Sequence, residues 1–202
     1  MRRAAATAAT RQAVVDSARE LLATVSWREF TLEAVAVRAG VTRVTVYNQV
    51  RNKAGLLDAV LTELTSRAGM DQLLTEARGL DPAAALAFVI GQTCRFWHAE
   101  RAVLRPLFGL AAVDAGIAAH LAGREDRRRE QFRRLLPGQS EPELAAVLAV
   151  TSFPAYDALG VVGDDPAQAA DLVLRMVRAL TAAPQLVAPT GPGPHAAPPG
   201  EG

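Results

Sequence analysis

The chain has 202 residues, half of them hydrophobic, and a formal net charge of +1. This apolar content is enough to build a core, which excludes a mainly disordered chain. A single cysteine, Cys94, excludes an internal disulfide framework and a multi-cysteine zinc site. The N-terminal arginines precede no long apolar stretch, and no window approaches the roughly 18 apolar residues of a membrane helix. We therefore expect a cytoplasmic protein that contacts no membrane.

The small net charge hides an asymmetry along the chain. Residues 1–53 carry nine basic and four acidic side chains, a net of +5, whereas the remainder carries 13 basic and 17 acidic, a net of −4. A basic segment on an acidic body is typical of a polyanion-binding module on a larger scaffold.

The composition is rich in Ala and Leu and lacks alternating β-branched runs, which predicts an all-α protein. We divide it into a flexible arm (1–8), an N-terminal three-helix domain (9–54), a larger helical bundle (55–183) and a disordered Pro/Gly-rich tail (184–202). Apolar spacing and caps predict the first four helices at about residues 9–24, 31–39, 42–48 and 53–68.

Breakers and caps divide the bundle further. Asp81-Pro82 opens a helix that runs to about Glu100, and Arg105-Pro106 is expected to break or kink the next. Gly123 and Pro137 bracket a charged segment, and Ser140 with Glu143 forms a capping box. That helix should kink or break at Pro154, and Asp165-Pro166 opens the last one.

Residues 31–53, TLEAVAVRAGVTRVTVYNQVRNK, have the pattern of a helix-turn-helix. Gly40 permits the left-handed turn between two short helices, and the second helix of such a pair lies in the major groove of DNA. Val41, Val46 and Val50 would face the other helices. Arg43, Thr45, Asn48 and Gln49 would then point outward, where they can bond bases or phosphates.

The stretch GVTRVTVYNQVRNKAGLL resembles the signature of the TetR family of transcriptional regulators, and ARELLATVSWREFTLEAVA fits the family's first two helices in register. The resemblance covers about residues 11–60. It implies a bacterial repressor, associated with the nucleoid when bound, that uses no cofactor and no metal. The family usually has glycine where this chain has Ser26, so a left-handed conformation there would cost about 1 kcal/mol.

The resemblance also implies roles for individual residues. Thr31 and Thr42 cap helices and offer hydroxyls to phosphates, Tyr47 packs under the recognition helix with its hydroxyl near a phosphate, and Lys53 meets a phosphate at the start of the fourth helix. Arg43 is the candidate for reading a guanine, and Val44 for touching a thymine methyl. Together the predicted DNA-binding residues are Thr31, Thr42, Arg43, Val44, Thr45, Tyr47, Asn48, Gln49 and Lys53.

The body carries no convergent set of acid, base and nucleophile, so we do not expect an enzyme. Its aromatic residues either fill the core or line a mostly apolar cavity with a few polar side chains such as Arg95. The resemblance implies such a cavity. The predicted pocket residues are Thr93, Phe96, Trp97, His98, Phe108, Phe153 and Tyr156. Cys94 and His98 lie one helical turn apart, but two ligands make a weak metal site.

Two further features of the body carry predictions. The mixed charges between Arg124 and Arg134 favour a solvated helix face, with ion pairs Glu125–Arg129 and Glu130–Arg134, over a second DNA contact. The last two helices are apolar on more than one face, so each must be buried on several sides. The extra face predicts a homodimer through these helices, the arrangement that the family uses.

The main hypothesis is a homodimeric repressor that a small, largely apolar effector of unknown identity releases from a near-palindromic operator in double-stranded DNA. The alternatives are a constitutive or partner-controlled DNA-binding protein without a sensor, and a helical enzyme or interaction module. A cavity of a few hundred Å³ in the body would favour the first over the second.

Overall fold

The computed structural model describes residues 2–182, with side chains from residue 6 onward, and this part of the chain is helical without strands. The predicted tail, 184–202, lies outside the described residues. Eleven α-helices and two short 3₁₀ segments, Met70–Gln72 and Gly160–Asp164, make up the described part. The helices are α1 Arg2–Thr24, α2 Leu32–Ala39, α3 Arg43–Val50, α4 Lys53–Arg67, α5 Leu73–Glu76, α6 Pro82–Ala99, α7 Arg101–Ala111, α8 Ala115–Leu135, α9 Glu141–Val150, α10 Phe153–Asp157 and α11 Pro166–Ala182.

The first three helices form a compact unit with α4. The apolar spacing that predicts the first helix is confirmed: Val14, Ala18 and Leu22 of α1 are buried against α2 and α4. Val35 and Ala36 of α2 and Val46 and Val50 of α3 complete this part of the core. An all-α protein with an N-terminal helix-turn-helix and a larger helical body is therefore confirmed.

The body is built around α6. One face of α6 packs on α11, and α8 and α9 pack beside them. The core of the N-terminal unit continues without a gap into α7 through Val103, Leu104 and Leu107. An ion pair between Arg19 and Glu100, with 2.9 Å between nitrogen and oxygen, adds a link between α1 and the body. The predicted boundary after residue 54 falls inside the first turn of α4, which contacts both parts.

Three predicted boundaries are wrong. Residues 2–8 extend α1 instead of forming an arm, because they are mostly Ala, the best helix former, with no Gly or Pro. Gly123 lies inside α8, where a glycine costs only about 0.5–1 kcal/mol relative to alanine and does not end the helix. Pro106 does not end a helix; it lies inside α7, where it removes a single backbone hydrogen bond.

The other caps and breaks are confirmed. Asp81 caps α6 with Pro82 as its first residue, Ser140 and Glu143 form the capping box of α9, and α11 begins at Pro166. The helix that contains Pro154 is broken just before it, and Ser152 caps the new helix α10. Within residues 2–182 no single helix is long and apolar enough to cross a membrane; α7 and α8 pass that test together, but the chain bends by 118° between them.

A tight junction joins α3 to α4. Arg51 has φ +67° and ψ −54°, and the N–H of Asn52 donates to the carbonyl oxygen of Val50 at 2.7 Å, which makes a strained γ-turn. Asn52 then caps α4 through the N–H of Gly55. A Cβ atom on Gly55 would lie 2.2 Å from the oxygen of Val50. Glycine is therefore required for the close approach of the two helices.

The substitution Gly55→Ala tests this junction. We expect it to lower the free energy of unfolding by about 1–3 kcal/mol, because the new methyl group has to displace backbone rather than a flexible side chain. Gly123→Ala is the matched control, since a Cβ there meets nothing within 4 Å. In the middle of α8 it should raise the stability by up to about 1 kcal/mol. Urea unfolding at one protein concentration compares them, and equal stabilities would contradict the proposed junction.

Candidate nucleic-acid interface and adjoining cavity

Two capped helices position the helix-turn-helix. The hydroxyl of Thr31 accepts from the N–H of Ala34, and that of Thr42 accepts from the N–H of Thr45, both at 3.1 Å. Gly40 adopts the left-handed conformation between the helices, with φ +66°. Both caps and the turn were predicted. Ser26 is not left-handed, so the predicted cost does not arise; its backbone N–H and hydroxyl instead bond the Glu29 carboxylate.

The helix α3 has one buried and one open face. Val46 and Val50 are buried and Val41 is half-buried, as predicted. Arg43, Val44 and Asn48 are exposed, whereas Thr45 and Gln49 are half-buried at the edge of the open face. Tyr47 is 53% exposed, so the prediction that it packs under the recognition helix is wrong. Its side chain adds to the open face.

The two basic side chains that end this segment differ in their surroundings. Among the described residues Arg43 contacts only the Glu33 carboxylate, at 4.0 Å, and it is exposed. The ammonium of Lys53 donates to the carbonyl oxygen of Trp27 at 2.9 Å and lies 3.3 Å from the centre of the Trp27 ring. Burial lowers the pKa of Lys53, partly offset by Asp114. One of the three N–H groups of the Lys53 ammonium is therefore used in the bond to Trp27, which holds the side chain between α4 and the α1–α2 turn.

A contact that the sequence did not reveal holds the far end of α3. The guanidinium of Arg11 donates through Nη1 to the carbonyl oxygen of Gln49 at 2.9 Å. A cation at the C-terminus of a helix satisfies an unpaired carbonyl and interacts favourably with the helix dipole. Arg11 lies 38 residues from Gln49, so no local pattern could have indicated it.

A cavity of about 470 Å³ lies in the body, directly beside α4. Its walls come from α4, α6, α7 and α8 and from the segment around α5. Four of the predicted residues line it: Thr93, Phe96, Trp97 and Phe108. Half of the other lining side chains are apolar, among them Leu61, Leu73, Val89, Leu104, Leu121 and Phe132.

Three predicted pocket residues lie elsewhere. Phe153 is buried behind the wall, with its ring centre 5.7 Å from that of Trp97 and 5.1 Å from that of Phe108. Tyr156 is buried and donates to the carbonyl oxygen of Gly163 at 2.7 Å. His98 is exposed, and its Nδ1 lies 3.2 Å from the same oxygen. Phe153 and Tyr156 lie on α10, a separate short helix, and their side chains therefore point in a direction that the sequence pattern does not predict.

The prediction of a solvated face on α8 is wrong for two arginines. Arg124 and Arg128 line the cavity, and their side chains are 17% and 13% exposed. Arg128 donates to the carbonyl oxygens of Leu148 and Thr151 at the end of α9 and pairs with Glu125. Of the predicted ion pairs, Glu130–Arg134 is present at 3.0 Å, whereas Arg129 faces Glu141.

Arg124 ties α8 to α4. Its Nη2 donates to the backbone oxygen and the carboxylate of Asp58 and to the hydroxyl of Thr62. Its Nε is buried and has no partner among the described residues. Burial lowers the pKa of Arg124, and Asp58 opposes this shift. The guanidinium nevertheless keeps its charge at neutral pH.

Comparison with known proteins agrees with this arrangement. Residues 14–60 match the model of the tetR family of bacterial regulatory proteins. Over 63 residues the chain is 38% identical to the HTH-type transcriptional regulator AlkX of Mycobacterium tuberculosis, a stretch that covers 31% of this chain and 30% of that relative. The matched stretch thus spans less than a third of the relative's length.

Two solved structures share the fold over most of the chain. A transcriptional regulator from Rhodococcus sp. Rha1 superposes with a TM-score of 0.65 at 22% identity, covering 84% of this chain and 96% of the other. A TetR-like transcriptional regulator from Rhodococcus sp. RHA1 gives 0.62 at 20% identity, covering 85% and 95%. At these identities the likeness concerns the fold.

The thiol of Cys94 supplies a test of the body's packing. Burial raises the pKa of Cys94 to about 11, an effect that Arg95 opposes. Because the thiolate is the reactive form, roughly a hundred-fold less of it is present at about pH 8 than for a free cysteine. We expect the native protein to resist iodoacetamide for the time that fully labels the urea-unfolded chain, as read by mass spectrometry. Equal labelling of both states would contradict the packing of α6.

Proposed function

Because this chain belongs to the TetR family of bacterial regulatory proteins, we propose that it is a homodimeric repressor released from its operator by a small, largely apolar effector. The observation that carries the DNA-binding part is the open face of α3, which presents Arg43, Val44, Tyr47 and Asn48. The opposite face of the helix packs against α1, α2 and α4, so these groups can enter a major groove as a rigid set.

The proposed DNA contacts fall into two kinds. Arg43, Val44, Asn48 and Gln49 are the groups that can read base edges. The remaining proposed contacts, which position the protein on phosphates, are Thr31, Thr42, Thr45, Tyr47 and Lys53. In a two-fold dimer the two copies of α3 would meet half-sites about 34 Å apart, or a multiple of that distance.

The cavity supports the sensor part of the proposal. Its 470 Å³ lies within the range of about 300–1,000 Å³ that small-molecule sites occupy, and its walls are mainly apolar. The cavity borders α4, and the N-terminus of α4 is joined to the recognition helix α3 by the junction at Arg51. This position favours a sensor over a constitutive DNA-binding protein, because a ligand that alters α4 acts on the DNA-binding unit.

The last helices support the dimer. Ala169, Val173 and Val177 form the stripe of α11 that is buried within the chain. A second apolar stripe, Leu172, Met176 and Ala179, runs beside it at helical spacing and is only partly covered or exposed. Val161, just before α11, is 84% exposed. Apolar groups of this kind indicate a surface that a second copy covers.

Paired substitutions test the DNA contacts. We expect Arg43→Ala to cost about 1–3 kcal/mol on the preferred DNA and to relax the preference at one base pair. Arg78→Ala, which removes the same charge from an exposed site in the body, should change neither. Fluorescence anisotropy on the tightest fragment recovered from genomic DNA, and on single-base variants of it, measures both. Unchanged affinity for Arg43→Ala would contradict the assignment.

Lys53 is expected to behave differently. If it holds a phosphate, Lys53→Ala weakens binding to all sequences and lowers the slope of log affinity against log salt by about one. It should also reduce stability, because the Trp27 carbonyl loses its donor. A loss of stability with an unchanged salt slope would limit Lys53 to its structural contact with Trp27.

The dimer is tested by placing charge on α11. We expect the unsubstituted protein to sediment at twice the mass of the chain, and the double variant Leu172→Glu, Met176→Glu to sediment as a monomer. Val113→Glu is the control, since Val113 is 83% exposed on the turn between α7 and α8. Analytical ultracentrifugation separates the outcomes, and a dimeric double variant would show that this surface is not the interface.

A further inference from the structure

We infer that the effector carries an acid group, a carboxylate or a phosphate monoester, on an apolar body, and that this group binds the guanidinium of Arg124. The inference rests on the proposed sensor function of the cavity and names the chemical class of its ligand. It comes from the bonding of Arg124, which differs from that of the other arginine buried in the cavity wall.

The two arginines are matched in burial but not in bonding. Arg128 donates from both terminal nitrogens and from Nε to oxygens of Leu148, Thr151 and Glu125, so its hydrogen-bonding capacity is used. In Arg124 all three described bonds leave from Nη2, which has only two N–H groups to share among them. The Nε–H is buried without an acceptor, a state that costs free energy unless a ligand supplies one.

A carboxylate or phosphate can bond the edge of this side chain formed by Nε and Nη2 once the bonds of Nη2 to Asp58 and Thr62 give way. Such groups bond a guanidinium side-on, through Nε and Nη2 together. A ligand oxygen would satisfy the orphaned Nε–H, while a second oxygen would compete with Asp58 and Thr62 for Nη2. An alcohol or an alkane offers no such pair of oxygens.

The partner that the ligand displaces can return to water. The Asp58 side chain is 55% exposed, compared with 17% for Arg124. Removing Asp58 from the guanidinium therefore costs little, whereas Arg124 gains a partner in a mostly apolar cavity, where an ion pair is stronger. Since these bonds join α8 to α4, an acid that takes over Nη2 also loosens the contact that links the cavity to the DNA-binding unit.

The other charged side chains of the lining do not offer the same site. Glu125 is paired with Arg128, and Asp71 is exposed on the segment between α4 and α5. Arg127 also lines the cavity but is exposed, so its charge is screened by solvent. It is the natural control for Arg124, because it lies on the same helix and carries the same charge.

Isothermal titration calorimetry with three ten-carbon probes tests the inference on the full chain: decanoate, decyl phosphate and 1-decanol, each below its aggregation threshold at neutral pH. We expect at least one of the two anions to bind more tightly than the alcohol, and their ranking distinguishes a carboxylate from a phosphate effector. Equal affinity for all three probes, or no binding of either anion, would overturn the inference.

Variants then assign the contact. Arg124→Gln should weaken the anion at least about ten-fold and leave the alcohol unchanged, whereas Arg127→Gln should change neither by more than about three-fold. Asp58→Asn removes the competing carboxylate and should tighten the anion, a gain that damage to the fold cannot produce. Equal losses in the two arginine variants, or an Asp58→Asn protein that binds the anion no more tightly, would overturn the assignment.

DNA titrations in the absence and in the presence of the probes keep the two proposals separate. Calorimetry does not require DNA, so acid binding at Arg124 is measured whether or not the protein recognises an operator. If the protein binds its DNA but the anions fail as described above, the effector class is wrong and the DNA-binding function stands. If the anions bind at Arg124 and leave DNA affinity unchanged, the site exists, but its role as the sensor of a repressor is wrong.

Discussion

The burial of Val46 and Val50 is the constraint on which the rest of the structure depends. Their helix, α3, has only eight residues, and a helix of that length is not stable in water without packing. These two valines fix its rotation against the neighbouring helices, so the opposite face with Arg43 and Asn48 is left open. The cap at Thr42, the Arg11 contact at the far end and the tight turn at Arg51 then set its length and direction.

The same helix unit is joined to the cavity through α4. The N-terminus of α4 follows the turn at Arg51. On one side α4 contributes Leu56, Leu57, Val60 and Leu64 to the core. On the side of the cavity, Asp58 and Thr62 of α4 accept hydrogen bonds from the guanidinium of Arg124. A buried arginine with a shared Nη2 and an unpaired Nε can change partners at low cost. We infer that this side chain, rather than the apolar walls, gives the cavity a means of distinguishing ligands and of acting on the DNA-binding unit.

How much of this the sequence predicts depends on the range of the interactions involved. The caps at Thr31, Thr42, Asp81 and Ser140 and the turn at Gly40 follow from neighbouring residues and were predicted correctly. The Lys53–Trp27 and Arg124–Asp58 contacts join residues far apart in the chain, and no local pattern encodes them. Helical spacing predicts ion pairs along the charged stretch of α8, but it does not indicate the depth at which each side chain lies, so it does not predict the burial of Arg124 and Arg128. Residue type and the family resemblance predict His98, Phe153 and Tyr156 in the pocket, but packing places them elsewhere.

The central claim is that two copies of the open face of α3 read DNA as a symmetric pair. Repeated selection from a random double-stranded DNA library with the purified full chain tests it most directly. The account predicts enriched sequences with two inverted half-sites whose centres lie about 10 base pairs apart, or a multiple of one helical turn. Recovery of a single half-site without symmetry, or no enrichment at low ionic strength, would contradict it.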